Sequence, residues 1–226
     1  MSEPRSSPSR VLRPRAAAQA AYNRLARWYD LLAGGSEARL RDRGLSALAV
    51  GEGEIVLEVG FGTGQALPAL ARAVGEQGHV YGIDISDQMV ERARARVEAA
   101  GLSARVELVR GDAFKLPWPG SAFDAAYFAF TLELFDTPDI PVVLAECRRV
   151  LKPGGRLGVV AMAQRRSGSL MVRLYEWAHR WFPSAVDCRP IPVRALIEQA
   201  GFVVGLVEES STWGLPVGIL VGTKLT

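Results

Sequence analysis

Apolar strand-like runs alternate with helix-period segments through the middle of this chain, and that alternation constrains the fold more than any other feature. Ile55–Val59, Val80–Ile83, Arg105–Val109, Phe123–Phe130 and Leu157–Met162 read as strands. Gln65–Val74, Ser86–Ala100 and Ile140–Leu151 read as helices between them. Such a succession predicts an α/β domain with a mostly parallel sheet. Ser86 is placed to cap its helix, because a serine hydroxyl accepts an orphan backbone N–H. Gly101 ends that helix, where glycine enters the left-handed region at little cost. Lys152-Pro153-Gly154-Gly155 reads as a turn that stops the helix before the fifth strand. Val193–Ala200, closed by Gly201, is a further helix. Phe202–Glu208 and Val217–Thr223 follow as an antiparallel pair. Two helical segments stand outside the alternation: Ala16–Leu32, and Ser169–Phe182 between strand five and the next core helix.

Composition sets the outer limits. The 226 residues fit one domain with a short extension, and 49% apolar with 23% charged residues excludes extended disorder for the bulk of the chain. Two cysteines, Cys147 and Cys188, and two histidines, His79 and His179, supply neither a disulfide scaffold nor a metal-type spacing, so no metal is expected. No apolar run approaches the ~18–20 residues of a membrane span. Residues 1–15, rich in Arg, Ser and Pro, read as a disordered tail and not as a signal peptide. Residues 16–226 read as a single domain, with 16–50 as a helical cap and 164–194 as a lid. The expected location is cytoplasmic, or peripheral on the inner face of a membrane. Residues 1–50 hold nine arginines against four acids, and 164–194 holds six against two. Two such segments can form one basic patch, although a net charge of +3 is too small to argue for nucleic acid.

The chemistry begins at Glu58-Val59-Gly60-Phe61-Gly62-Thr63-Gly64, after the first strand. Glycines allow a tight turn and close approach of a ligand to the backbone. The helix that follows offers free N–H groups and a positive dipole end. Asp84 ends the second strand, where a carboxylate can accept hydrogen bonds from both hydroxyls of a ribose. The spacing is GxGxG rather than the GxGxxG of dinucleotide sites. Glu58 stands two residues before the first glycine. A carboxylate there would repel a pyrophosphate and would suit a cationic or zwitterionic cofactor.

These segments resemble those of the class I S-adenosylmethionine (SAM)-dependent methyltransferases. The resemblance rests on Val56–Gly64, Gly82–Ser86, Gly111-Asp112-Ala113, Phe123-Asp124-Ala125 and Leu151–Leu157, in family order, over about residues 50–163. It implies a Rossmann-like, doubly wound seven-stranded sheet of order 3-2-1-4-5-7-6 with strand seven antiparallel, plus an N-terminal helix and a helical lid. It also implies SAM as cofactor, S-adenosylhomocysteine as product and no metal. By position, Gly60, Phe61, Gly62, Thr63 and Gly64 would wrap the methionine part, with Glu58 helping to position the loop and the amino group. Asp84 would hold the ribose. Ile85 and Met89 would pack on the adenine. Asp112 would bond the adenine amino group, with Gly111, Ala113 and Phe114 beside it. Phe128, Ala129 and Phe130 would face the sulfonium and methyl, the alternative for the two phenylalanines being plain core packing. Within the family the chain looks nearest to small enzymes that methylate quinone precursors and phospholipid amines. Their N-terminal helix carries a pattern like Tyr22–Asp30, whose Tyr22 and Tyr29 would reach the cofactor carboxylate. The segment Phe130–Phe135 departs from the usual quinone-methylating sequence.

Methyl transfer to an amine needs mainly alignment and exclusion of water, whereas a hydroxyl or ring carbon needs a base. Glu133 and His179, with Asp187, are the candidates, although Glu133 also reads as a solvated or helix-capping carboxylate. Phe130, Tyr175, Arg180 and Arg189 are expected at the acceptor. Tyr175, Trp177, Trp181 and Phe182 among arginines suit an anionic membrane surface, or an amphipathic lid packed on the core with a solvated outer face. Arginine outnumbers lysine 24 to 3, so part of this is compositional bias. The leading expectation is methylation of a membrane lipid such as phosphatidylethanolamine. The alternatives are C- or O-methylation of a quinone precursor, a soluble metabolite as acceptor, and a non-catalytic SAM-binding protein. Nucleic acid is not expected as a partner.

Overall fold

The computed structural model describes residues 34–164, 190–212 and 215–226. The helices expected at Ala16–Leu32 and Ser169–Phe182 lie outside these residues. The described elements are α1 (Gly34–Leu48), β1 (Ile55–Val59), α2 (Leu67–Ala73), β2 (His79–Asp84), α3 (Asp87–Ala99), β3 (Val106–Arg110), β4 (Phe123–Ala129), α4 (Ile140–Val150), β5 (Leu151–Met162), α5 (Val193–Gln199), β6 (Phe202–Thr212) and β7 (Leu215–Lys224). Seven strands form one sheet of order β3-β2-β1-β4-β5-β7-β6. The first five are parallel to one another, and β7 runs antiparallel to both β5 and β6. This is the Rossmann-like arrangement that the resemblance implies.

Strand alternation divides the core in two. Leu57, Val59, Ala126 and Phe128 face one cluster, which α4 and α5 complete with Leu144, Cys147, Leu196 and Ile197. Val56, Ala125 and Tyr127 face the other, closed by Leu40 and Leu48 of α1, Leu67 and Leu70 of α2, and Val90 and Val97 of α3. Helices on both faces force the central strands to be apolar on both faces. The sheet then presents its loops at the carboxyl ends of the parallel strands, where ligands bind in such folds.

Several boundaries differ from the sequence reading. The second helix starts at Leu67, not Gln65, because the glycine loop consumes the intervening residues in a turn closed by Gly64 N–H to Phe61 O, 2.9 Å. Strand β5 starts at Leu151, so Lys152–Gly155 is absorbed as an irregularity, with Gly154 at φ 76°. Strand β4 stops at Ala129 because Phe130 turns to φ 55°. The last two strands extend to Thr212 and from Leu215. Ser86 does cap α3, its hydroxyl accepting the Met89 N–H at 3.2 Å.

Helix α1 is fixed to the sheet at three points. Tyr127 Oη donates to Arg41 O at 2.9 Å. Arg156 Nε donates to Leu48 O at 3.0 Å, placing a cation at the helix carboxyl end where the dipole favours it. Gly44 lies so near Tyr127 and Val160 that a Cβ there would collide with both.

Candidate active site

The carboxyl ends of β1, β2 and β4 meet around the glycine loop. Gly60, Gly62 and Gly64 all have positive φ, at 67°, 54° and 76°. That explains the three glycines, since other residues enter this region at a cost of about 1–2 kcal/mol each. Their surroundings differ. A Cβ at Gly60 would collide with Thr131, and one at Gly64 would press on Ala93 of α3 and Leu67. A Cβ at Gly62 would meet nothing within 4 Å. The middle glycine thus borders open space where a ligand can approach the backbone.

Neighbouring elements hold the loop from every side. Gly60 N–H donates to Ile83 O at 2.7 Å. Gly62 N–H donates to Asp84 Oδ2 at 2.9 Å, while Asp84 Oδ1 accepts the Ser86 N–H at 2.9 Å. Arg96 Nε of α3 donates to Thr63 O at 2.9 Å. Arg41 Nη1 of α1 donates to Gln65 Oε1 at 2.7 Å. Thr131, after β4, donates through Oγ1 to Gly60 O at 3.0 Å and to Ala129 O at 3.1 Å. Sequence reasoning passed over Thr131 and Arg41. The signal for Thr131 was its place just beyond a strand end that already faced the loop. Arg41 carried no signal, because its role depends on how α1 packs.

Two carboxylates set the electrostatics. Glu58 is 3% exposed, and burial pushes its pKa up to about 8, against the pull of Arg41 and with a further push from Asp84. Its Oε2 has no hydrogen-bond partner. Burial raises Asp84 too, opposed by the N–H groups of Ser86, Gly62 and Ile85. Acidic groups with raised pKa values in a cleft are a mark of functional sites.

The remaining expected residues fall into two groups. Ile85, Gly111, Asp112 and Phe114 are half-buried beside the cleft, and Met89 and Ala113 are buried there. Gly111 N–H donates to Asp84 O at 2.9 Å, which joins the third strand's end to the second. Asp112 Oδ1 accepts the Phe114 N–H at 3.1 Å, an Asx turn. Phe61 is 4% exposed and packs into the core over Gly82, so only its backbone belongs to the loop surface. Phe128 is fully buried in the cluster under α4, so the expectation that its ring faces the cofactor gives way to core packing. Phe130, 8% exposed, closes the end of β4 with its N–H on Val160 O at 2.7 Å.

Glu133 departs from both solvated and capping readings. It is fully buried, and Oε1 accepts the Met162 N–H at 3.1 Å. The carboxylate ties the turn after β4 to the end of β5. Tyr22, Tyr29, Tyr175, His179, Arg180, Asp187 and Arg189 lie outside the described residues. Ala163 bridges Ile191, and Gln164 N–H donates to Ile191 O at 3.0 Å. The two stems of the expected lid therefore meet at the carboxyl end of β5, on the cleft's rim.

Residues 56–155 match a family described as a methyltransferase domain. A SAM-dependent methyltransferase from Aquifex aeolicus superposes with a TM-score of 0.66 at 29% identity, over 88% of this chain and 98% of that one. Over these residues the chain is similar to the class I methyltransferases. The cyclase SpnF shares the fold with a TM-score of 0.73 at 22% identity, over 93% and 96% of the two chains. Among curated proteins, demethylmenaquinone methyltransferase of Lactobacillus johnsonii is 33% identical over 147 residues, 63% of this chain and 59% of that protein. The chain spans about half the length of the curated relatives it matches.

The cofactor of such domains is SAM, and the residues present fit it. The orphaned Glu58 oxygen suits a cationic amino group, Asp84 stands at the end of β2, and the open side of Gly62 leaves room for a ligand. Among the described residues no cluster of His, Cys, Asp and Glu could hold a metal ion. No described helix is long and apolar enough to cross a membrane.

Proposed function

We propose that this chain transfers the methyl group of SAM to a quinone-type ring, at a ring carbon or a hydroxyl. The observation that carries the acceptor is the run of demethylmenaquinone methyltransferases among the relatives, 33–40% identical to this chain. These relatives favour the quinone over a phospholipid amine, the leading expectation from sequence, so the order of the two is reversed.

SAM supplies an electrophilic methyl on a sulfonium. The protein's part is placement and exclusion of water. Gly60, Gly62 and Gly64 give the backbone close access to the amino-acid end. Glu58 would pair with its ammonium. Asp84 would accept from the ribose hydroxyls, and Ile85, Met89 and the Asp112–Phe114 turn would hold the adenine. Phe130, Thr131 and Glu133 brace the end of β4 against the glycine loop and β5, and so fix where the acceptor can enter. A ring carbon or hydroxyl must lose a proton as the new bond forms. Glu133, fully buried and bonded to a backbone N–H, acts here as that brace rather than as the base.

The test is incubation of the full chain with methyl-labelled SAM and either a demethylated naphthoquinone or phosphatidylethanolamine vesicles. Label in the quinone supports the reading. Label only in the phospholipid overturns it.

A further inference from the structure

Exposed apolar side chains gather at one edge of the sheet. Val203, Leu206 and Val207 of β6 and Leu225 just past β7 are four of the five large apolar residues exposed among the described residues, with Val142 the fifth. Among those residues β6 is the last strand of the sheet and pairs only with β7. Its sequence, Phe202–Thr212, holds neither lysine nor proline, the residues with which monomeric proteins blunt a long edge. The apolar groups lie on both faces. Val207 stands opposite Leu220, which belongs to the cluster under α4 and α5. Leu206 stands opposite Val221 and so takes the other face, where Arg43 of α1 pairs with Glu208 and bonds Ser210 Oγ at 3.1 Å. A helix or lipid surface laid on one face would leave the other bare. A partner that covers both must continue the sheet sideways.

The charges along the edge select that partner. At the amino end of β6, Lys224 lies opposite Phe202, and a Cβ at Gly201 would press on Arg148. Lys224 Nζ donates to Leu151 O at 2.6 Å, while Arg148 Nε is buried and donates to nothing. Burial and the Arg148 charge hold the Lys224 ammonium below the usual lysine range. Neither cation has an acidic partner among the described residues. Toward the carboxyl end, Glu209 is exposed and lies opposite Gly218. Alternate residues of a strand share a face, so Glu209, Val207 and the pair Lys224 and Phe202 all stand on the side of α4 and α5. A strand with cations at one end, an acid at the other and apolar residues between is complementary to itself run backwards. A two-fold axis perpendicular to the sheet makes that match and keeps each face continuous.

We propose that two copies of this chain associate through their β6 edges, antiparallel about a two-fold axis. Val203, Leu206 and Val207 of each copy form the apolar centre, and Glu209 of one copy faces Lys224 and Arg148 of the other. The register of β6 slips between Val204 and Leu206, so side chains rather than one unbroken ladder set the fit. Strands β5 and β7 separate this edge from β4 and the cleft, so association leaves both clefts open.

Sedimentation velocity of the full chain over a dilution series tests this. Wild type runs as a dimer that dissociates on dilution. Leu206→Lys and Val207→Lys put like charges across the axis, and each raises the dissociation constant roughly 10- to 100-fold. Glu209→Lys and Lys224→Glu each weaken the homodimer, but an equimolar mixture of the two dimerises again, because the mixed pair has opposite charges at both contacts. All four keep wild-type circular dichroism and affinity for S-adenosylhomocysteine. Should Lys224→Glu not fold, Arg148→Glu takes its place in the mixture. Hydrogen exchange of wild type needs no substitution, and β6 amides slow at high concentration and not at low.

A wild-type chain that stays monomeric at every concentration overturns the proposal. A dimer that Leu206→Lys and Val207→Lys leave intact overturns it too, because the interface then lies elsewhere. A mixture of the two charge variants that stays monomeric refutes the antiparallel pairing, since a merely structural loss in each variant would not be repaired by the other.

Discussion

Glu58→Gln should change how stability depends on pH. In the folded protein burial raises the Glu58 pKa from 4.5 to about 8. Between those values the folded chain keeps a proton that the unfolded chain has released. Stability therefore falls as pH rises through this window, by at most about 1.4 kcal/mol per unit, and levels off above about 8. Integrated over the window, the ceiling is about 5 kcal/mol. Arg41 opposes the shift, while Asp84 adds to it and is itself raised by burial. Tyr127 also faces Glu58, and its own pKa lies far above this window. Glutamine copies the protonated acid and does not titrate. The variant should match wild type near pH 5 and exceed it by several kcal/mol near pH 8.

Urea denaturation of both proteins from pH 5 to 8.5 measures this. The other carboxylates titrate in both chains, so the difference between the two curves isolates Glu58. Parallel curves would show that Glu58 is ionised in the free protein and would refute the reasoning. Cofactor binding should reverse the linkage. An ammonium beside Glu58 favours the charged form, so S-adenosylhomocysteine should expel up to one proton within the same window. Calorimetry in two buffers of different ionisation enthalpy reads that proton, and its absence would count equally against the argument.

Asp84→Ala removes the acceptor of the Gly62 N–H as well as the proposed ribose contact. Affinity for S-adenosylhomocysteine should fall by ~1.5–3 kcal/mol while the circular dichroism stays that of wild type; an unchanged dissociation constant would remove the ribose from this position. Gly60→Ala drives a Cβ into Thr131 at φ 67°, and should lower unfolding free energy by about 1–3 kcal/mol. A denaturation midpoint equal to wild type would mean that the loop relaxes freely. Ser86→Ala deletes the cap on α3 and should cost ~0.5–2 kcal/mol by the same assay, with no loss pointing to another acceptor for the Met89 N–H.

The sheet was legible in the sequence because each central strand announces itself locally. The apolar run Ile55–Val59, the glycine loop after it and Asp84 at the end of β2 are short-range signals, and the structure places them in one cleft. What was not legible depends on contacts distant in sequence. Arg41 touches Gln65 only because α1 lies against β4 and β5, held by Tyr127 and Arg156. Glu133 looked like a surface acid because nothing nearby in sequence marks the Met162 N–H as its partner. Phe128 looked like a cleft residue by family position, yet strand alternation sends its ring into the cluster under α4.

The architecture also separates what is fixed from what can vary. Three bonds lock the end of β4: Phe130 N–H to Val160 O, Thr131 Oγ1 to Gly60 O, and Met162 N–H to Glu133 Oε1. Together they join the glycine loop, the turn after β4 and the last residues of β5 into one rigid rim. Phe130 sits in the left-handed region within that rim, a strain of about 1–3 kcal/mol that persists only where the surroundings over-determine it. The described chain stops at Gln164 and resumes at Pro190, and Ala163 bridges Ile191 at this rim. The sequence between those two points can change without disturbing strand register. The neighbour that is a cyclase illustrates the consequence, since the same sheet serves another reaction. Choice of acceptor should therefore follow residues 165–189. Exchanging that segment for its counterpart in a demethylmenaquinone methyltransferase should alter which acceptor is labelled and leave affinity for S-adenosylhomocysteine unchanged. A chimaera with its acceptor preference unaltered would return specificity to Phe130 and the rim.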